Sequence, residues 1–181
     1  MAQDDYRTRG SDEAPLVLTI YSDFECPYCR NFALAALPAV LAEFTETGRL
    51  RVTYVFFPLA QIHQNAVATA KAAHCAGRAG RFWAYHDYLY ARQPEWSGPA
   101  QPDSLWIAYA GNLGLDPDDF AVCLNSAAAL AAVEDDLRQA IGAGATGTPT
   151  IVLGDRSLTG LTSYEELRRR ILEAIGATAG K

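Results

Sequence analysis

The chain has 181 residues, half of them hydrophobic, and carries a formal net charge of −6. That length supports one domain, or one domain with a large insertion, around a substantial core. Without a basic cluster it is poorly suited to nucleic acid, and no apolar run approaches the ~20 residues a membrane-spanning helix needs.

Residues 1–14 are polar and lack the apolar centre of a signal peptide, so they read as a loosely attached flexible arm. Residues 16–22 read as a buried strand, rich in β-formers and apolar on both faces. Ser22-Asp23-Phe24-Glu25 forms the turn, with side chains able to cap backbone donors. A helix follows over 26–47. Its apolar residues are Phe32, Leu34, Leu37, Val40, Leu41 and Phe44, Pro38 should kink or split it, and Gly48 stops it. Residues 50–57 make a second strand, ended by Pro58. Strand, helix and strand in this order form a βαβ unit with parallel strands.

Residues 62–143 read as almost wholly helical. Segments 62–76 (stopped by Gly77), 81–92 and 103–113 carry helical spacing, with a loop over 94–101. Asp116-Pro117 is a capped helix start. Leu130, Val133, Leu137 and Ile141 mark one face of a longer helix ending near 142–144. Residues 150–153 and 156–159 read as a hairpin about Gly154-Asp155. Ser163-Tyr164-Glu165-Glu166 fits a capping box opening a last helix to about 175, on which Arg168-Arg169-Arg170 reads as a solvated face.

Cys26-Pro27-Tyr28-Cys29 sits where the first strand meets the first helix. A Cys-x-x-Cys in this position reads as a redox dithiol. The thiolate is the reactive form of cysteine, and unpaired N–H groups at a helix N-terminus favour it. Cys26 falls at that N-terminus, Pro27 suits the first helical position, and Cys29 lies one turn deeper. Cys26 therefore reads as the attacking cysteine and Cys29 as the resolving one. The alternative, half of a zinc site, needs a second close pair, whereas Cys75 and Cys123 are far apart in the chain. No metal and no cofactor is expected.

Gly147-Thr148-Pro149-Thr150 precedes the third strand, a place where proline is permitted and where a cis bond can be held in a turn. With this element the chain resembles the DsbA-like thiol:disulfide oxidoreductases of the thioredoxin superfamily. It is similar to the bacterial subgroup whose site reads Ser-Asp-Phe-x-Cys-Pro-Tyr-Cys. The matching residues are 22–29, Phe57-Pro58-Leu59 with His63 and Asn65-Ala66, Phe82-Trp83 to His86-Asp87, and 147–150.

The resemblance implies an α/β thioredoxin fold, with an all-helical subdomain (62–144) inserted between the βαβ and ββα halves (15–61 and 145–178). It implies a cis Pro149 facing Cys26, with Thr148 pairing its backbone with an extended substrate. It also implies protein or peptide thiols as substrates, a membrane redox partner for reoxidation, a monomer, and a periplasmic or other extracytoplasmic place in the cell envelope. A cytoplasmic protein is the alternative. Pro27 and Tyr28 differ from the Pro-His of the strongly oxidising type, so Cys26 lacks a neighbouring histidine. Glu25 reads as a solvated turn residue, with thiolate opposition or proton transfer as the alternatives.

Cys75 and Cys123, both expected to be buried in the helical insertion, read as a structural disulfide, against two free thiols packing as small apolar groups. His63, His74 and His86 have no metal-like spacing; His63 and His86 read as helix-start or packing residues. The expected function is oxidation of substrate dithiols through Cys26–Cys29. A disulfide isomerase or reductase, or a non-enzymatic peptide-binding chaperone module, are the alternatives.

Overall fold

The computed structural model describes residues 5–160 and 163–179. Residues 1–4 of the expected arm, and 161–162 of the second core segment, lie outside the described residues. The architecture is a mixed five-stranded sheet in the order β1-β3-β2-β4-β5 with helices before, between and after the strands. At its centre, β2 (Val17–Ser22) runs parallel to β3 (Arg51–Phe56) and antiparallel to β4 (Thr150–Leu153). β4 pairs in turn with β5 (Arg156–Thr159).

Between β2 and β3 the chain is helical over residues 27–45. Two α-helical stretches, α1 (Pro27–Asn31) and α2 (Leu37–Val40), alternate with wider turns at Phe32–Ala36 and Leu41–Thr45. Pro38 neither breaks nor splits this run. The turn ahead of it widens, the Leu37 N–H reaching back five residues to the Phe32 carbonyl, which is how a helix absorbs a proline or an extra residue.

All helices between β3 and β4 fall within residues 66–142. They are α3 (Ala66–Arg78), α4 (Phe82–Ala91), α5 (Gln93–Trp96), α6 (Asp103–Asn112), α7 (Pro117–Leu124) and α8 (Ala127–Gly142). Three expectations change here. Residues 62–65 are turns rather than helix. Part of the expected 94–101 loop is α5, whose Trp96 is buried with its indole N–H donated to Leu89 O at 3.1 Å. Gly77 does not end α3. It lies inside the helix where a Cβ would fall 2.2 Å from the Tyr6 ring, so it is required for close approach.

That contact reports another correction. Residues 5–14 are not a loose arm. β1 (Thr8–Arg9) adds antiparallel to β3, Tyr6 Oη meets His74 Nδ1 at 2.6 Å, and Arg7 pairs with buried Asp136 of α8. Asp136 also accepts the Phe56 N–H at 2.8 Å. Single long-range anchors of this kind leave no periodic signal in a polar segment.

One hydrophobic cluster runs from the strands (Leu18, Ile20, Val52, Tyr54) into the helices (Tyr85, Tyr90, Trp96, Trp106). On α8 the predicted stripe is only half covered. Val133 is buried, while Leu130 and Ile141 are exposed beside an open groove of about 440 Å³ that they line with Phe57, Leu59 and Leu137. At the C-terminal end α9 (Tyr164–Ala179) carries Arg168, Arg169 and Arg170 on its surface, paired with Glu43, Glu166 and Glu173.

Candidate active site

Cys26 caps α1 at its N-terminus in an extended conformation (φ −71°, ψ 123°), with Pro27 at the first helical position. Both Cys26 and Cys29 are free thiols, and both are buried. Cys26 is 4% exposed and its sulfur lies 3.5 Å from the Thr148 carbonyl. The Thr148–Pro149 peptide bond is cis. Residues 122 apart in sequence thus meet at one sulfur because β4 lies beside β2.

The two thiols are electrostatically unequal. Cys26 is pulled from the ordinary 9.0 down to about 6, first by the hydrogen bond from the Cys29 thiol. Thr148 and the N–H groups of Cys29 and Tyr28 add to this, and burial opposes it. Cys29 is pushed well above 9.0 by burial, with Cys26 adding to the shift. The pair therefore holds one thiolate at Cys26 and one proton at Cys29 near neutral pH. Tyr28 points outward at 57% exposure. Cys75 and Cys123 are bonded to each other, so neither is available to complete a metal site with the dithiol.

Glu25 is not the solvated turn residue the sequence suggested. It is 5% exposed. Its Oε2 accepts the Asn65 N–H at 2.6 Å and its Oε1 accepts the Gly98 N–H at 2.8 Å and Asn65 Nδ2 at 3.2 Å. Asn65 extends the staple by donating to Pro99 O at 3.1 Å and accepting the Gln101 N–H at 2.7 Å. With its oxygens accepting from fixed donors, Glu25 ties the Cys26 turn to the segments around Asn65 and Gly98.

Asp23 does the complementary work. It is buried, and its Oδ1 accepts the Glu25 N–H at 2.8 Å. Its Oδ2 accepts the Leu59 N–H at 2.8 Å and meets His63 Nδ1 at 2.8 Å. Gln93, from the start of α5, donates to Phe24 O at 2.7 Å and to Cys26 O at 3.0 Å. Beneath Cys29 the hydroxyls of Ser22, Tyr90 and Tyr54 form a chain with 2.9 Å steps. None of these partners was singled out from sequence for the contact it makes. Asp23, His63 and Asn65 stood inside the quoted motifs. Gln93, Tyr54 and Tyr90 carried no local signal, because each acts from a distant element.

The sequence pattern of the thioredoxin family matches residues 3–173.

The chain belongs to the thioredoxin family.

Among solved structures, this thioredoxin-family chain shares its fold with Wolbachia pipientis alpha-DsbA1, at TM-score 0.85 and 19% identity, covering 96% of this chain and 92% of that one. BdbD from Bacillus subtilis, in its oxidised form, superposes at TM-score 0.85 with 21% identity, covering 94% and 92%. DsbA from Chlamydia trachomatis gives 0.79 with 19% identity, covering 96% and 93%. In sequence it is 35% identical over 170 residues to the Na(+)/H(+) antiporter NhaA 1 of Salinispora arenicola, covering 94% of this chain and 25% of that protein. A similar match, 33% over 169 residues, joins it to Na(+)/H(+) antiporter NhaA 3 of Salinispora tropica. The chain spans about a quarter of the length of these curated relatives.

Proposed function

We propose that this protein is a thiol:disulfide oxidoreductase that oxidises dithiols of protein or peptide substrates, with Cys26 as the exchanging sulfur and Cys29 as its partner. The observation that carries the reading is the division of roles within the dithiol. Cys26, at a helix N-terminus and against Thr148 O, is held as thiolate, while Cys29 keeps its proton in the core.

In the oxidised form, Cys26 and Cys29 share a disulfide. A substrate thiolate attacks the Cys26 sulfur, and Cys29 leaves and takes up a proton. The mixed disulfide is broken when the substrate's second thiolate attacks its own sulfur, and Cys26 leaves as a stabilised thiolate. Two electrons pass from the substrate dithiol to the enzyme; one of its two protons ends on Cys29 and the other is released to solvent, while Cys26 remains a thiolate. A low-pKa leaving thiol speeds the second step, and a stabilised thiolate favours the reduced enzyme. Thr148, whose carbonyl faces the sulfur, supports backbone pairing with an extended substrate segment. Residues 62–144 act as an inserted helical unit that reaches the site through Asn65, Tyr90 and Gln93. Resemblance to the DsbA group supports an extracytoplasmic place and reoxidation by a membrane redox partner. No helix of the described residues is long and apolar enough to cross a membrane.

The test is the reduction potential of Cys26–Cys29 against glutathione, together with oxidation of reduced, unfolded ribonuclease. A potential near that of thioredoxin would reverse the direction to reductase. Activity surviving in Cys26→Ser would sink both redox readings and leave peptide binding alone.

A further inference from the structure

Tyr28 occupies the dipeptide position where a histidine would place positive charge beside Cys26, and it faces solvent. A titratable ring is supplied from elsewhere in the fold. His63 lies in the turn before α3, with its Nδ1 2.8 Å from Asp23 Oδ2. Asp23 belongs to the same tight turn as Cys26, whose N–H it accepts at 3.2 Å through its own carbonyl. Two residues beyond His63, Asn65 is stapled to Glu25, the residue preceding Cys26. The imidazole is thus fixed to the turn that delivers the sulfur through Asp23, and Asn65 ties the same segment to Glu25. Its side chain is 16% exposed, which dilutes its field less than open solvent would.

We propose that His63, hydrogen-bonded to Asp23, is a positioning residue that in its protonated form stabilises the Cys26 thiolate and so tunes the dithiol. The proposal rests on Cys26 being the exchanging sulfur.

The local charges are consistent with this role. The groups acting on His63 are Asp23, which raises its pKa most through the hydrogen bond, and then Cys26 and Glu25, while burial opposes them. All three belong to the β2–α1 turn. From α8, Glu134 lines the groove beyond Leu59 and Gln61. Asn65, Gln93 and Thr148, which complete the surroundings of the turn, are uncharged. The hydrogen bond sets a protonated His63 against the Asp23 carboxylate, three residues before Cys26, where its charge offsets that of the carboxylate. The effect is conditional on pH. It operates where His63 is protonated and Cys26 ionised, and it fades as His63 deprotonates on the alkaline side.

Because the coupling between two titrating groups is reciprocal, it can be read from either end. In the wild-type protein, NMR titration of His63 should give a pKa higher by about half to one unit in the dithiol form than in the Cys26–Cys29 disulfide form, where the thiolate is gone. This arm needs no variant and no exchange activity. In His63→Gln the Cys26 thiolate absorbance should titrate about half to one unit higher, and the equilibrium with glutathione should shift roughly threefold to tenfold toward the disulfide form. His63→Lys should restore most of the shift, which a merely structural role would not allow. An identical His63 pKa in both redox forms, or an unmoved Cys26 titration in a folded His63→Gln, overturns the proposal. Absence of thiol exchange in the wild type instead overturns the reading of Cys26, and the NMR comparison still stands or falls by itself.

Discussion

Glu25 and Asn65 are joined twice, backbone N–H to Oε2 at 2.6 Å and side-chain amide to Oε1 at 3.2 Å. The residue beside Cys26 is thereby tied to the turn just ahead of α3. Asp23 and His63 make a parallel tie from the other side of the same turn. The turn is held by two inward-facing carboxylates, whose partners come from Leu59, His63 and Asn65 and from Gly98. This relationship sets the first of four predictions.

Glu25→Ala should cost about 2–4 kcal/mol of stability, because it strands the N–H groups of Asn65 and Gly98. Glu25→Gln should cost less but not nothing, since its amide group must face a backbone donor. Urea unfolding of the two variants measures the difference. If Glu25→Ala unfolds like the wild type while exchange activity falls, Glu25 is a proton carrier and the structural assignment is wrong.

The Cys26 pKa makes the reduced protein pH-sensitive. Its folded value, about 6, lies below the ordinary 9.0. The thiolate's contribution to stability is therefore full above pH 9 and is lost as pH falls through 6. The disulfide form has no such group. The melting temperature of the reduced form minus that of the oxidised form should shrink on acidification across this window and level off below it. Alkylation of Cys26 by iodoacetamide should show its midpoint near pH 6. A midpoint near 9 would remove the basis for Cys26 as a stabilised thiolate.

The Cys75–Cys123 bond closes a separation of 48 residues, linking α3 to α7. Replacing both with alanine should cost about 4 kcal/mol on loop entropy alone. Exchange activity below the new melting temperature should be retained, since neither sulfur reaches the dithiol. Mass measurement after alkylation gives an independent check: a fully oxidised sample with two free thiols contradicts the paired arrangement.

Gln93→Ala removes the donor shared by the carbonyls of Phe24 and Cys26. The expected loss is about 1–3 kcal/mol. It should be accompanied by faster amide exchange in the first turn of α1, because that turn is held from outside as well as by its own hydrogen bonds. Unchanged exchange in that turn would show that α1 is rigid without the α5 contact.

Local patterning alone was enough to place the elements that frame the dithiol. Apolar runs of strand length placed β2 and β3. Pro27 after Cys26 placed the sulfur at a helix start. The position of Pro149 before β4 gave a permitted strand start, and only the family resemblance made it the companion loop of Cys26. These are local choices of backbone conformation and patterning, and they need only a few consecutive residues. What only the tertiary structure decided is how the polar residues around the dithiol are used. Glu25 turned inward because Asn65 and Gly98 bring donors to it, and His63 is held against the same turn by Asp23. Residues 6–9 joined the fold, β1 through the sheet and Tyr6 and Arg7 through α3 and α8. Whether a carboxylate is solvated or buried is settled by whether distant donors arrive to satisfy it, and no local pattern carries that information.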